Sequence, residues 1–342
     1  MQKIVIHRPG GFARLELETH PDPQPGPGEV RVSTRAIGVN YADCIVRMGL
    51  YKSARELVGF PITPGFELAG AITALGDGVQ DLALGDLVFG VTRFGGYSSE
   101  IVIPRELCRR IPPGLGVLQA ATFSVVFLTA WYALFELCRL RPGSKVLVHS
   151  AAGGVGSALC QLARTAGAEV LGVVGSPAKV DVALAQGASR VIDKSTDDLW
   201  ARAREFAPGG FQAVLDANGA ATLRQGAARL APGGRLVVYG FHTMLPRGGI
   251  PNPFRLLFDY LRTPRFHPMT LVDRNAAVLG FNLSYLFHER ELLDRALDDL
   301  LAKLEAGAIR PLDVTELPLA HADEAQRRLQ SGTTTGKLAL VP

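Results

Sequence analysis

The stretch that most limits what this chain can fold into is "SKVLVHSAAGGVGSALCQLARTAG", residues 144–167. Its apolar run Lys145–Val148 reads as a short buried strand that stops at a turn of small residues, and from Ser157 onward apolar positions recur at helical spacing until Gly167. A strand that passes through a small-residue turn directly into a helix is half of a βαβ unit, and such units assemble as a parallel sheet with helices on both faces. The downstream chain repeats the alternation. "AEVLGVVGS", "ASRVID", "FQAVLDA", "GRLVVYGF" and "NAAVLGFNL" read as further strands, with "SPAKVDVALAQG", "TDDLWARAREF" and "AATLRQGAARL" as helices among them. Ser176 stands where a helix N-cap belongs, with Pro177 at the first helical position. An α/β, doubly wound parallel sheet of Rossmann type is therefore expected over residues 121–284.

Residues 1–120 carry a different pattern: short runs such as "KIVIHRPGG", "EVRVSTRAIGVN", "AGAITALGDGV" and "DLVFGV" alternate or stay apolar and stop at Gly or Pro. They predict a mostly β, partly open barrel-like domain. A chain of 342 residues is too long for one ordinary core, which agrees with two domains. After the last parallel strand, "RELLDRALDDLLAKLEAG" is an amphipathic helix, and the mixed segment ending in "GKLALVP" predicts that residues 285–342 return to complete the first domain. The longest apolar candidate, Ala120–Leu137, is broken by Thr122, Ser124, Thr129 and Glu136 and falls short of the ~20 residues that span a bilayer. The opening "MQKIVIHRPGG" has no apolar signal core, so a cytoplasmic location is expected. A net charge of +4 with scattered basic residues speaks against nucleic-acid binding. Cys44, Cys108, Cys138 and Cys160 form no Cys-x-x-Cys pair and are expected to be buried free thiols.

The glycine turn has the form Ala151-x-Gly153-x-x-Gly156, with alanine in the first of three glycine positions and Gly154 and Val155 between the last two. At a strand-to-helix junction this pattern suits a dinucleotide: glycine lets the backbone approach the pyrophosphate, and the helix N-terminus supplies unpaired N–H groups and partial positive charge. An NAD site places a carboxylate about 20 residues on, at the end of the second strand. Here that strand ends in Gly175-Ser176, with Lys179 on the following helix and Lys194 after the third strand. A hydroxyl and two lysines fit a 2′-phosphate, so NADPH is the expected cofactor, with solvated surface lysines as the alternative.

The motifs "GVNYADCIVRMGLY", "FGGYSSE", "LTAWYAL" and "HSAAGGVG" together resemble the medium-chain dehydrogenase/reductase superfamily and, within it, the quinone oxidoreductase branch related to zeta-crystallin. "NPFRLLFDYLRTPRF", "LVDRNAAVLGFNLSYL" and the ending "TGKLALVP" are similar to the vesicle amine transport protein homologues of that branch, so the resemblance covers nearly the whole chain. It implies a GroES-like first domain, a homodimer joined near Val278–Phe281, and NADPH-dependent reduction of a quinone or an α,β-unsaturated carbonyl. Zinc-dependent members carry Gly-His-Glu where this chain has Gly65-Phe66-Glu67, a ligand cysteine where it has Asn40, and a four-cysteine lobe that is missing after "FGGYSSE". A zinc-independent site is therefore expected, with Glu67 kept as a structural or site-lining carboxylate.

By the same resemblance, Asn40 and Tyr51 are the candidate catalytic hydrogen-bond donors. Thr129 approaches the nicotinamide end, Asn218 ends the fourth strand beside the crevice, Gly240 and Phe241 follow the fifth strand, and Phe281 and Asn282 flank the nicotinamide. Lys337 is a candidate for the adenosine phosphate, against a solvated turn lysine. Asp43 reads as a helix-start acid and His149 as a packed residue with a satisfied ring. Residues 253–274 interleave aromatic and basic side chains, and they read as a lid, a packing interface or a membrane- or partner-contacting surface. Two other functions stay open: a dinucleotide-binding sensor or lipid- or partner-binding module with little turnover, and an enoyl-thioester reductase using Arg262, Arg265 and Arg274 for a carrier phosphate.

Overall fold

The computed structural model describes residues 1–246 and 252–342. Six parallel strands form one sheet. Numbered along the chain they are Lys145–His149, Glu169–Val174, Arg190–Asp193, Phe211–Asp216, Leu230–Val238 and Ala277–Gly280, and they lie in the order 3-2-1-4-5-6. Strand order reverses between the first and fourth strands, so their carboxyl ends open a crevice where ligands of this architecture bind. One face is covered by helices Ser124–Trp131, Gly154–Thr165 and Arg290–Glu305, the other by Leu199–Phe206 and Leu223–Ala228. Helix Gly154–Thr165 packs because Ala158, Leu159, Leu162 and Ala163 fall on one stripe and are fully buried.

The second sheet has seven strands, mostly antiparallel and built around Glu29–Val39. That strand pairs with Glu67–Leu75 along its length, with Glu100–Pro104 at its start and with Lys337–Val341 at its end. Strand Val314–Pro318 lies outside Lys337–Val341, so the chain leaves this sheet after Cys108–Arg110 and returns to it some two hundred residues later. Gly70 is required here: a Cβ on it would sit 2.0 Å from the Ser33 carbonyl oxygen. A separate hairpin pairs Gln2–Val5 with Glu16–Thr19.

Several local expectations shift. The apolar run 120–137 is three elements, helices Val117–Ala121 and Ser124–Trp131 and a π-helical turn Tyr132–Cys138. The helix after Ser176 starts as a 3-10 turn, Pro177–Lys179, and becomes α-helical at Val180–Ala185. All four cysteines are buried free thiols. No helix among the described residues is long and apolar enough to cross a membrane.

Candidate active site

The glycine turn sits at the carboxyl end of the central strand. Ser150 takes a left-handed conformation (φ 56°), which swings the chain back over the sheet, and Gly153 N–H donates to its carbonyl at 2.9 Å. The first bond of the following helix runs from Ser157 N–H to Gly153 O, so the N–H groups of Gly154, Val155 and Gly156 precede it and have no intrahelical acceptor. Gly156 is required for packing: a Cβ there would lie 2.1 Å from Ser150 O, whereas one on Gly153 would meet nothing closer than 3.3 Å. Ala151 is fully buried, its methyl group facing the neighbouring strand at Gly172. The turn is a cradle of backbone donors, bordered near Gly154 by the Val126 and Lys337 side chains and bridged at Gly153 by Gly336, and its form fits a dinucleotide pyrophosphate.

Beyond the second strand, Ser176 caps the 3-10 turn by position only, since its hydroxyl makes no capping bond. The Lys194 stem lies beside Gly175, where a Cβ would be 3.6 Å from Lys194 Cε. Lys179 donates from Nζ to the Gly332 carbonyl at 2.6 Å, and partial burial pulls its pKa down. A hydroxyl and two lysines thus share the edge where a carboxylate would otherwise read a ribose.

On the facing wall, Asn40 and Lys337 are buried with Glu67. Lys337 Nζ donates to Asn40 Oδ1 (2.7 Å), Glu67 Oε1 (2.9 Å) and Val39 O (3.0 Å), and Asn40 Nδ2 donates to Glu67 Oε1 (2.9 Å). The other Glu67 oxygen accepts from Val125 N–H at 2.8 Å, placing negative charge at the N-terminus of helix Ser124–Trp131. The assignment of Lys337 to the adenosine phosphate is corrected by these bonds: its ammonium is enclosed and committed, and only its stem nears the loop, 3.1 Å from where a Gly154 Cβ would be. Asn40 is less available than expected as a donor, with one amide hydrogen on Glu67 and its carbonyl on Lys337. Asp43 is the helix-start acid the sequence suggests, accepting from Asn40 N–H (2.8 Å), and also from Gly65 N–H (2.9 Å) and the Tyr97 hydroxyl (3.0 Å). Burial pushes its pKa up to about 7 despite those donors.

Tyr51, just before helix Lys52–Leu57, and Asn282, just after strand Ala277–Gly280, meet: the Tyr51 hydroxyl donates to Asn282 Oδ1 at 2.8 Å. The Tyr51 ring packs edge-on against Phe66 (5.7 Å) and Phe94 (6.4 Å), making an aromatic wall where the zinc-dependent pattern would have histidine. Burial holds the Tyr51 phenol above its ordinary pKa, so it keeps its proton and remains a donor. Phe281 packs on Tyr132 at 4.9 Å, and Asn282 Oδ1 also caps Ser284 N–H. Thr129 donates from its hydroxyl to Val125 O (2.7 Å), leaving the oxygen only as an acceptor. Asn218 is buried on a turn tied by its N–H to Asp216 Oδ1, Gly240 backs onto Ala217, and the Phe241 ring crosses Gly219 half-exposed.

His149 differs from expectation. It is fully buried, but neither ring nitrogen has a hydrogen-bond partner, and the Asp216 carboxylate stands at 3.8 Å from Nε2. Burial drives its pKa down to about 4, so the ring is neutral at pH 7. Residues 253–274 form two short helices, Pro253–Arg262 and Pro268–Asp273, separated by a stretch that holds Pro264, with Phe254, Leu257, Phe258, Tyr260 and Leu261 exposed. Sequence reasoning missed the enclosed arrangement of Lys337 and the Phe94 contribution to the aromatic wall; "FGGYSSE" entered only as a motif of the family resemblance, with no role for the Phe94 ring.

Residues 154–298 match the family model "Zinc-binding dehydrogenase", and residues 26–113 match "Alcohol dehydrogenase GroES-like domain". The chain is 36% identical over 345 residues to the synaptic vesicle membrane protein VAT-1 homolog of Rattus norvegicus, covering 99% of this chain and 83% of that one. Among solved structures it is similar to the quinone oxidoreductase of Escherichia coli complexed with NADPH, at 29% identity and a TM-score of 0.87 with both chains fully covered. It is also similar to the CurK enoyl reductase, at 26% identity and a TM-score of 0.86, covering 99% of this chain and 98% of that one.

Proposed function

Because the chain belongs to the medium-chain dehydrogenase/reductase superfamily, we propose that it is an NADPH-dependent reductase passing hydride to a quinone or an α,β-unsaturated carbonyl without a metal. The observation that carries this reading is the pairing of a glycine cradle at the end of the central strand with the protonated Tyr51 phenol, set in an aromatic wall and bonded to Asn282 after the sixth strand. When bound, the dinucleotide supplies the hydride. Gly154, Val155 and Gly156 N–H groups hold the pyrophosphate; Ser176, Lys179 and Lys194 hold the 2′-phosphate. Thr129, Asn218, Gly240, Phe241, Phe281 and Asn282 line the remaining path to the reacting ring. Phe66 and Phe94 present a flat apolar face to a flat electrophile, and Tyr51, turned from Asn282, donates to the oxygen that gains charge as hydride arrives. A quinone or enone spreads that charge itself, so a hydrogen-bond donor suffices.

The donor set here does not suit zinc. Glu67 is neutralised by Lys337, and the other groups in contact with it are an amide side chain and a backbone N–H, not thiolate or imidazole. Ala277–Gly280 is an edge strand of its sheet, and its exposed backbone is the proposed seam of a homodimer.

Anaerobic oxidation of NADPH and of NADH, each with a simple quinone and a short alkenal, tests the proposal. NADPH should be used at least about 10-fold more efficiently than NADH, and a chelator should leave the rate unchanged. Tight NADPH binding with oxidation by neither acceptor would overturn it. An enoyl substrate, as the name of the similar CurK enoyl reductase has it, would then be the next to try.

A further inference from the structure

The hairpin that precedes the seven-stranded sheet gathers ligand-type side chains that the proposed reaction does not use. Strand Glu16–Thr19 pairs antiparallel with Gln2–Val5, with Val5 opposite Glu16. Side chains alternate along extended chain, so Glu16 and Glu18 share a face, and His20 continues the same spacing. His7 continues the partner strand two residues beyond Val5, with the same parity. The result is that His7 Nε2 lies 2.5 Å from Glu18 Oε1 and His20 Nε2 lies 2.7 Å from Glu18 Oε2. One ligand atom each from His7, Glu16 and Glu18 falls within 4.8 Å of the other two, and among the described residues no other such group of three occurs.

We propose that this hairpin binds one divalent transition-metal ion through His7, Glu16 and Glu18, with His20 orienting the Glu18 carboxylate from behind. A cation seated between His7 Nε2 and Glu18 Oε1 takes the place of the hydrogen bond that now joins them. Imidazole with two carboxylates is a donor set for zinc, cobalt, nickel or copper rather than for calcium or magnesium. The His20–Glu18 bond is the kind of outer contact that fixes a carboxylate ligand. Its backbone is fixed in turn, since His20 N–H donates to the Met1 carbonyl at 2.9 Å. Beside the cluster lies a cavity of about 370 Å³ bordered by His7, Glu18, His20, Thr63 and Phe94, leaving room for water to complete the coordination. Lys3 borders the same cavity, but one lysine against two carboxylates leaves the cluster with negative charge for the ion.

The test uses tag-free full-length protein stripped with chelator and titrated calorimetrically with zinc chloride at pH 7.5, with visible absorption of the cobalt adduct in parallel. One equivalent should bind saturably. His7→Ala or Glu18→Gln should abolish it, and His20→Ala should weaken it by about 10-fold or more. The affinity should fall on acidification, as histidine ligands take up protons. Unchanged thermal midpoints and NADPH affinity in metal-free variants would show that they fold. No saturable uptake at micromolar metal, or uptake that survives both His7→Ala and Glu18→Gln, would overturn the proposal while leaving the reductase reading untouched.

Discussion

A buried ammonium persists only where protein groups replace its water, and Lys337 has three such groups in Val39 O, Asn40 Oδ1 and Glu67 Oε1. Removing it by Lys337→Met leaves Glu67 charged and enclosed without its counter-ion, at an expected cost of about 3–5 kcal/mol in denaturant unfolding. Lys337→Arg should restore part of that, and the double variant Lys337→Met/Glu67→Gln should be more stable than Lys337→Met alone. Asp43 and His149 act on stability with opposite sign. The Asp43 pKa is raised to about 7 in the fold, so the native state holds a proton that the unfolded chain has released above about pH 4. Its contribution is full below that value and lost as pH rises through about 7. The His149 pKa is lowered to about 4, so the unfolded chain takes up a proton first, and its contribution is lost as pH falls from about 6.5 to about 4. Urea midpoints followed from pH 4 to pH 8 should therefore fall less on the alkaline side in Asp43→Asn than in the unaltered protein. They should fall less on the acid side in His149→Leu.

Elements that obey local rules were readable from the sequence. The parallel strands follow from apolar runs bounded by turn residues, and the glycine cradle from a small-residue turn between a strand and a helix; in both, the signal lies within about a dozen residues. The loop makes a correspondingly local prediction. Gly156→Ala forces a methyl group into the Ser150 carbonyl and should destabilise by about 3 kcal/mol or more while weakening NADPH binding, read by thermal melts and fluorescence titration. Gly153→Ala brings its methyl group only to 3.3 Å of that oxygen, a tight contact without overlap, and should cost about 1 kcal/mol. What the sequence did not reveal is contact between distant segments. Lys337 looked like a turn lysine because its partners Asn40 and Glu67 lie 297 and 270 residues away along the chain. The unpartnered His149 ring was equally hidden, since nothing near "VLVHSA" says which groups will surround it.

At the scale of the molecule, the two sheets share the candidate site, and the Tyr51–Asn282 hydrogen bond is one direct tie between them. Tyr51→Phe keeps the ring against Phe66 and Phe94 but removes the donor. Steady-state kinetics should show kcat for quinone reduction down by about 10-fold or more with the NADPH KM little changed; a change in the NADPH KM alone would mean that the hydroxyl only joins the domains. Helix Arg290–Glu305 adds a second tie through Arg109, which pairs with Asp294 at 2.5 Å. The interposed strand Lys337–Val341 also sets an order of events. It fits between Glu29–Val39 and Val314–Pro318, so the seven-stranded sheet cannot close until the ribosome has made both the parallel sheet and the segment after it. A nascent chain halted before residue 337 would already hold the glycine turn and its helix, yet Glu67 would be waiting for its cation. Dinucleotide affinity is thus expected to mature during synthesis before the opposite wall does, and a stalled chain would bind its cofactor without being able to use it.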